Sequence, residues 1–197
     1  ISQTAKLLWG VYVLLTVLEA VALMLAGLSF FDAICHAMAT MATGGFSTRT
    51  ASVGAYQNPA VDWIVIVFMF LAGVNFSLHY LALSGKARAY ARDDEFRFYV
   101  LLLGVAVLLV GLPLLAAGQH GGFGDTLRDT VFQVVAIATT TGFGTADYLQ
   151  WPPIAHAVLL LLMIVRGCAR STGGGSKVMR LLLRLKVGGQ ELRKLVH

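Results

Sequence analysis

Charged side chains are scarce in this sequence: only 13% of its 197 residues are Asp, Glu, Lys or Arg, whereas 57% are hydrophobic. Soluble domains carry about 25% charged residues, so the composition excludes an ordinary water-soluble domain. Several apolar runs approach the length of about 20 residues that a helix needs to cross a bilayer. The net charge of +5 gives no indication of a nucleic-acid partner, because basic residues in such a chain follow membrane topology. We predict an all-α integral membrane protein.

Cysteine is equally scarce, and Cys35 and Cys168 form neither a CxxC pair nor a Cys/His metal spacing. Their apolar surroundings indicate buried free thiols. A GxSxG-type nucleophile turn is absent from the sequence. An intramembrane hydrolase built on Ser47 or Ser171 is therefore a weak alternative, and we expect no catalytic residue and no bound cofactor.

The apolar runs form a repeated pattern of span, short helix, Thr-Gly turn and span. The predicted spans are 7–31, 61–83, 99–117 and 154–185, and the short helices are 32–43 and 125–141. The short segments suit re-entrant helices, because they are too short to cross. The predicted units are 1–83, a cytoplasmic loop at 84–97, and 98–197, which ends in a basic tail. Placing Thr43-Gly44 on Thr141-Gly142 gives an offset of 98 residues.

The distribution of Lys and Arg supports this topology. Lys6, the four basic residues of 84–97 and the six of 177–194 lie on one side, together eleven of the fifteen in the chain. Only Arg49 and Arg128 lie on the other side, and the positive-inside rule makes the first side cytoplasmic. Both Thr-Gly turns are then approached from outside the cell.

The polar side chains inside the predicted spans each have two possible roles. Glu19 and Asn75 either face a water-filled path or form hydrogen bonds between helices. His36 and His79 are predicted to be core histidines whose ring nitrogens have hydrogen-bond partners.

The two Thr-Gly turns are the candidate ion-binding site. A cation that crosses a membrane can exchange its hydration shell for backbone carbonyl oxygens, and glycine permits the backbone angles that turn successive carbonyls the same way. The simpler alternative is a pair of glycine helix caps. The candidate filter residues are Thr43, Gly44, Gly45, Phe46, Thr141, Gly142, Phe143 and Gly144.

Three stretches together resemble the Trk/Ktr/HKT superfamily of potassium transporters, and in particular its TrkH/KtrB-type membrane subunits. They are Met38–Thr48, Thr139–Tyr148 and the glycine-rich run from Gly167 to Lys177. The resemblance implies four span–pore helix–span repeats around a pseudo-fourfold pore, of which this chain would supply repeats two and three. We therefore expect the chain to be part of a longer protein.

The resemblance also implies that the glycine-rich run is an intramembrane loop that gates the pore, whereas a plain helix kink is the alternative. The gate residues are Arg166, Gly167, Cys168, Ala169, Arg170, Ser171, Thr172, Gly173, Gly174 and Gly175. Arg166 and Arg170 depart from the family, which usually has small residues at these positions. They either raise the closed-state barrier, pair with an acidic residue such as Glu19 or Asp147, or point away from the pore.

By resemblance, the function is potassium uptake across the bacterial inner membrane, with K+ bound at Thr43, Gly44, Thr141 and Gly142. The implied partners are a second copy of the membrane subunit, membrane lipid, and a cytoplasmic ring of nucleotide-binding subunits of the TrkA/KtrA type. A sodium-permeable or non-selective relative is the main alternative. Serine in place of a filter glycine is associated with sodium in this family, and Gly44 and Gly142 argue against it. A non-conducting scaffold subunit is a further alternative.

Overall fold

The computed structural model of the chain describes residues 2–118, 122–166, 168, 171–172 and 176–177. These residues form helices, apart from one pair of two-residue strands, so the all-α prediction is confirmed. The helices are α1 (Ser2–Leu25), α2 (Phe30–Met41), α3 (Pro59–Ala72), α4 (Phe76–Leu83), α5 (Arg88–Arg92), α6 (Asp94–Ala117), α7 (Phe123–Ala138) and α8 (Pro153–Ile164). Short 3-10 turns occupy Ser52–Tyr56 and Tyr148–Gln150, and β1 (Val165–Arg166) pairs in parallel with β2 (Ser176–Lys177).

Among the described residues, two helices are long and apolar enough to cross a membrane, over Lys6–Leu25 and Asp94–Ala117, and the bent pair Pro59–Ala72 and Phe76–Leu83 would make a third if it counts as one span. Both long helices present large apolar side chains on their outer surfaces, such as Trp9 at 69% and Leu108 at 60% exposure. Such a surface is suited to contact with lipid tails, which are as apolar as leucine. The spans predicted at 7–31 and 99–117 therefore exist, with boundaries shifted by a few residues.

The predicted span 61–83 is wrong as a single helix, because it breaks after Ala72. Helices α3 and α4 meet at an angle of 101°. Asn75 starts the new helix: its side-chain oxygen accepts a hydrogen bond from the backbone N–H of Ser77 at 2.9 Å, as a helix-capping residue does. Asn75 is thus a cap rather than a bridge between helices.

The predicted span 154–185 is also not a single helix. Helix α8 covers only Pro153–Ile164 and then gives way to the strand pair, in which Val165 lies opposite Ser176 and Arg166 opposite Lys177. The chain thus leaves the helix, makes an excursion of nine residues and returns beside its own starting point in the same direction. Helix α8 thus ends two residues before Arg166, where the glycine-rich break was predicted to begin, and most of that break lies outside the described residues.

The two short helices, α2 and α7, pack against the spans that precede them, α1 and α6. Ser29 caps α2 by accepting a hydrogen bond from the N–H of Asp32 at 3.1 Å. Asp32 and Asp125 lie in the first turns of α2 and α7, where a negative charge is favourable next to the helix dipole. Each helix then runs apolar into its Thr-Gly turn, as the re-entrant prediction requires.

Contacts between the two repeats hold them in one body. Helix α3 of the first repeat packs along α7 of the second. The N–H of Gly54 donates to the carbonyl of Gly144 at 3.1 Å, and the N–H of Gly144 lies 3.3 Å from Oγ of Ser52. The 3-10 turn of the first repeat is therefore bonded directly to the Thr-Gly turn of the second.

Candidate functional site

The two Thr-Gly turns share an unusual backbone conformation. In the first, Thr43 and Gly45 have positive φ values of 50° and 68°. In the second, Thr140 and Gly142 have φ values of 64° and 82°. Positive φ is natural for glycine but is a genuine outlier for a β-branched residue such as threonine. Its appearance at the same place in both turns indicates a feature that the surrounding structure enforces.

These angles give an offset between the repeats of 97 residues, because Thr43 matches Thr140 and Gly45 matches Gly142. The hydrogen bonds agree: the N–H of Thr43 donates to the carbonyl of Thr40, and the N–H of Thr140 donates to that of Ile137. Helices α2 and α7 also end 97 residues apart, at Met41 and Ala138. The predicted offset of 98 is therefore wrong by one residue.

This register adds Thr140 to the site and pairs Phe46 with Phe143. The sequence alone could have predicted this register, because Phe46 and Phe143 align only at an offset of 97 residues. The dipeptide Thr-Gly misleads because Thr140 and Thr141 are both threonine, and only the backbone angles decide which of them matches Thr43.

The two turns touch each other at Gly45. A Cβ atom added to Gly45 would lie 2.0 Å from the carbonyl oxygen of Thr141, far inside van der Waals contact. A Cβ on Gly142 would meet no described atom within 4 Å. Glycine is therefore required at Gly45 both by its φ and by the neighbouring turn, and at Gly142 by φ alone within this chain.

The matching phenylalanines lie in contrasting surroundings. Phe143 is 2% exposed and its ring centroid lies 5.8 Å from that of His36, on the pore helix α2 of the other repeat. His36 is held by hydrogen bonds from Nδ1 to the carbonyl oxygen of Asp32 and between Nε2 and Oγ of Ser47. Phe46 is 81% exposed. Phe143 thus stiffens its turn against the neighbouring repeat, while Phe46 has no such neighbour among the described residues.

The described residues of the glycine-rich run lie beside the first turn. Oγ1 of Thr43 lies 2.8 Å from the carbonyl oxygen of Ala42 and 3.2 Å from that of Thr172. Because the hydroxyl has one proton, these two carbonyls share it or compete for it. The predicted filter and the predicted gate are therefore in direct contact.

Part of the gate prediction lies outside the described residues. Gly167, Ala169, Arg170 and Gly173–Gly175 belong to this part, and Arg166 is described only through the backbone pairing of β1. Cys168, Ser171 and Thr172 are described; Cys168 is buried, and Oγ of Ser171 donates to its carbonyl at 2.7 Å. The three readings of Arg166 and Arg170 therefore stay open.

Two ion-pair clusters lie at the starts of the re-entrant helices. Arg128 approaches Asp125 at 3.0 Å, Asp62 at 3.2 Å and Asp129 at 3.7 Å. Arg49 pairs with Asp32 at 3.1 Å. Asp62 belongs to α3, so the Arg128 cluster ties the second pore helix to the first repeat. Arg49 and Asp32 stabilise only their own repeat.

The carboxyl group of Glu19 is completely buried and has no hydrogen-bond partner among the described residues. The hydroxyl of Thr40 on α2 faces it but donates to the carbonyl oxygen of His36 at 2.8 Å. Thr40 is thus the α2 group beside Glu19, and the two possible roles of Glu19 both stay open.

His79 was predicted to be a core histidine, and the structure adds a role at the break between α3 and α4. Its Nε2 lies 2.9 Å from the carbonyl oxygen of Leu71, and its Nδ1 lies 2.5 Å from the hydroxyl of Tyr90 on α5. The prediction of a core histidine with satisfied nitrogens is confirmed. What the sequence did not show is that these bonds brace the break between α3 and α4.

Spans with apolar outer faces, two re-entrant helices and described loop residues beside the first Thr-Gly turn define a polytopic membrane protein of the kind that builds an ion pathway. Comparison with known proteins gives the family: a model described as "TrkH: Cation transport protein" matches residues 1–197. The chain belongs to the TrkH family, whose members are transporters and not enzymes.

The chain is 45% identical over 201 residues to the Trk system potassium uptake protein TrkH of Escherichia coli K12, covering 100% of this chain and 41% of that protein. It is 33% identical over 198 residues to TrkG of the same organism. The crystal structure of the potassium transporter TrkH from Vibrio parahaemolyticus matches with a TM-score of 0.95 at 40% identity, over 100% of this chain and 42% of that one. The chain spans about two fifths of the length of these relatives.

Proposed function

We propose that the protein carries potassium ions inward across the bacterial inner membrane, and that the turns at Thr43–Phe46 and Thr140–Phe143 form two parts of its selectivity filter. The observation that carries this proposal is the matching alternation of positive φ at Thr43, Gly45, Thr140 and Gly142. Such alternation turns successive carbonyl groups toward one side, where they can replace the hydration shell of a cation. The relatives named above are potassium transporters.

The ion-binding residues proposed from the sequence were Thr43, Gly44, Thr141 and Gly142. The register of 97 residues supports equivalent layers at Thr43 with Thr140, Gly44 with Thr141, and Gly45 with Gly142. Strained threonines at these layers are expected at a functional site, since such conformations cost about 1–3 kcal/mol each and persist only where the surroundings impose them.

A complete filter requires more than these two turns. We propose a pseudo-fourfold pore in which two further repeats complete the ring, as the share of the solved relative that this chain covers allows. The exposed ring of Phe46 supports this arrangement, because its counterpart Phe143 is buried against the pore helix of the preceding repeat.

The loop from Arg166 to Gly175 is proposed as the gate. The contact between Thr43 and the carbonyl of Thr172 supports this role, since it brings the loop to the filter turn. The wider assembly, a dimer of membrane subunits with a cytoplasmic nucleotide-binding ring of the TrkA/KtrA type, is proposed on family resemblance alone.

Rubidium and sodium flux through the full-length protein in liposomes, without a cytoplasmic partner, tests the proposal. We expect rubidium flux that external potassium blocks and sodium does not. Sodium flux of equal size would instead support a non-selective transporter. Arg166→Gly and Arg170→Gly test the gate: flux that appears only in these variants would place the arginines in the closed barrier. Absence of flux in all three proteins, even with the partner added, would contradict the transport proposal.

A further inference from the structure

The break between α3 and α4 exposes carbonyl groups that need partners. The last carbonyls of any α-helix lack intrahelical donors, and at membrane depth an unsatisfied carbonyl is costly. At the end of α3 these are the carbonyls of Leu71, Ala72 and the cap residue Gly73. The carbonyl of Leu71 already accepts from the N–H of Val74 at 3.0 Å, so those of Ala72 and Gly73 are the two that need a partner. Their partners therefore show what the break is built to hold.

The glycine-rich loop supplies two of these partners. The N–H of Cys168 donates to the carbonyl of Gly73 at 2.9 Å, and Oγ1 of Thr172 donates to that of Ala72 at 3.1 Å. These residues are separated by about a hundred positions in the chain, so the bonds join the second repeat to the first. The loop caps α3 in place of its own next turn.

The carbonyl of Leu71, which also accepts from the N–H of Val74, receives a second hydrogen bond, from His79. A carbonyl oxygen can only accept, so Nε2 of His79 carries the proton that it donates to Leu71, at 2.9 Å. In the neutral ring Nδ1 is then an acceptor, and it receives the hydroxyl proton of Tyr90 at 2.5 Å. Tyr90 lies on α5, within the charged segment that separates the repeats.

We propose that the break between α3 and α4 is the docking site of Cys168 and Thr172 of the glycine-rich loop, and that His79 and Tyr90 are positioning residues that keep the break in the shape that receives them. These two loop residues then lie beside the Thr43 turn because they satisfy the carbonyls at the end of α3. When the loop leaves, the carbonyls of Ala72 and Gly73 require water, so undocking and hydration of this region occur together.

The filter survives undocking in this scheme. Thr43 keeps the carbonyl of Ala42 within 2.8 Å after its contact with Thr172 is lost, so the hydroxyl is not orphaned. The filter turn therefore does not depend on the loop for its hydrogen bonds.

Cys168 is a natural reporter of docking, because it is 1% exposed in the docked loop. The experiment uses the full-length protein in liposomes, with all other cysteines replaced by serine, and measures the rate at which a charged thiol reagent modifies Cys168. Thr172→Val keeps the shape of the side chain and removes the donor to Ala72. We expect it to raise the rate about two- to tenfold, the factor that one hydrogen bond contributes.

Ser171→Ala is the matched control, because Oγ of Ser171 bonds only within the loop, to the carbonyl of Cys168. Tyr90→Phe, with Tyr80→Phe on α4 as its control, tests the positioning role, and we expect a smaller increase, of about twofold, for Tyr90→Phe alone. A rate equal to the parent's in Thr172→Val, or an equal increase in Ser171→Ala, would overturn the docking site. Equal rates in Tyr90→Phe and Tyr80→Phe would overturn the positioning role.

The inference rests on the proposed gate, and the two can fail separately. Modification of Cys168 requires no transported ion. Faster modification in Thr172→Val, in a protein that carries no rubidium, would keep the docking site and reject the transport function. Selective rubidium flux with an unchanged modification rate in Thr172→Val would keep the transport function and reject the docking site.

Discussion

The two Thr-Gly turns, proposed as parts of the filter, have the same backbone but different neighbours. Thr43 and Gly45 repeat the φ pattern of Thr140 and Gly142, yet Phe143 is buried at 2% exposure and Phe46 stands open at 81%. The buried ring lies on His36, in the other repeat. The two turns therefore share a backbone shape, whereas the packing of their phenylalanines differs with the adjacent repeat.

The direction of this support is consistent throughout. The first repeat supports the second: Gly54 bonds to Gly144, and Asp62 pairs with Arg128. Among the described residues, the second repeat contacts the first at Gly45, beside Thr141, and through the loop, where Thr172 donates to Ala72 and accepts from Thr43. The second turn is thus held by a hydrogen bond and an ion pair to fixed elements, whereas the first also contacts a segment proposed to move.

The largest expected effect comes from comparing Gly45→Ala with Gly142→Ala. At Gly45 the new Cβ meets the carbonyl of Thr141 at 2.0 Å and φ is unfavourable, so we expect rubidium flux to fall at least about 100-fold, since misplaced filter groups forfeit coordination. At Gly142 only the φ penalty of about 1–2 kcal/mol applies within this chain. The pseudo-fourfold proposal requires a further repeat to lie against Gly142. If so, the two substitutions reduce rubidium flux equally in the full-length protein. A clearly smaller loss of flux in Gly142→Ala would contradict the pseudo-fourfold proposal.

The ion pairs give a smaller effect that separates bracing between repeats from bracing within one. Arg128 has a side-chain exposure of 19% and joins two repeats, whereas Arg49 is 55% exposed and pairs within one. We expect Arg128→Gln to lower the free energy of unfolding by about 1–3 kcal/mol, between the values for exposed and buried pairs, and Arg49→Gln by less than about 1 kcal/mol.

Thermal denaturation in detergent measures both variants. High salt should erase the Arg49 effect, because exposed charges are screened, and should leave most of the Arg128 effect. Equal destabilisation by the two substitutions would show that the bridge to Asp62 adds nothing.

The smallest expected effect concerns Asp32 at the start of the first pore helix. The hydroxyl of Thr48, and also Arg49, donate to this carboxylate and hold its pKa below the usual value, although desolvation acts in the opposite direction. A depressed pKa in the folded state means that the carboxylate contributes stability above its unfolded pKa of about 3.9. This contribution is lost as pH falls through the lower folded value.

Asp32→Asn should therefore show a weaker loss of stability than the parent when melting temperatures are compared between pH 6 and pH 3. Thr48→Val, which removes the largest cause of the shift, should lie between the two. A parent and an Asp32→Asn variant with parallel pH profiles would contradict the assignment.

Composition and periodicity were sufficient to predict the class of the fold and its re-entrant helices. Runs such as Lys6–Leu25 are apolar throughout, and Asp32 and Asp125 mark helix starts that end in Thr-Gly. The charge bias of the loops predicts which side of the membrane each loop lies on, and this stays a prediction. These features are local or additive, so a single sequence contains them.

The break after Ala72 and the partners of the loop were not predictable in the same way. The run from Val61 to Leu83 is apolar enough for one span, and Gly73 and Asn75 would be tolerated within it. The break persists because Cys168, Thr172 and His79 satisfy its carbonyls. Two of these partners lie about a hundred residues away, and periodicity gives no information on such contacts.

The bond between Gly54 and Gly144 also has a consequence for biosynthesis. The ribosome adds about 5–20 residues per second, so about 5–18 s separate the emergence of these two glycines. During that interval Gly144 is not yet available to the Ser52–Tyr56 turn, so Ser52 and Gly54 lack their hydrogen-bond partner from the second repeat. The second turn can reach its final shape only after the first repeat has been inserted. The repeat that is synthesised first is therefore also the one that supplies contacts to the turn of the repeat synthesised after it.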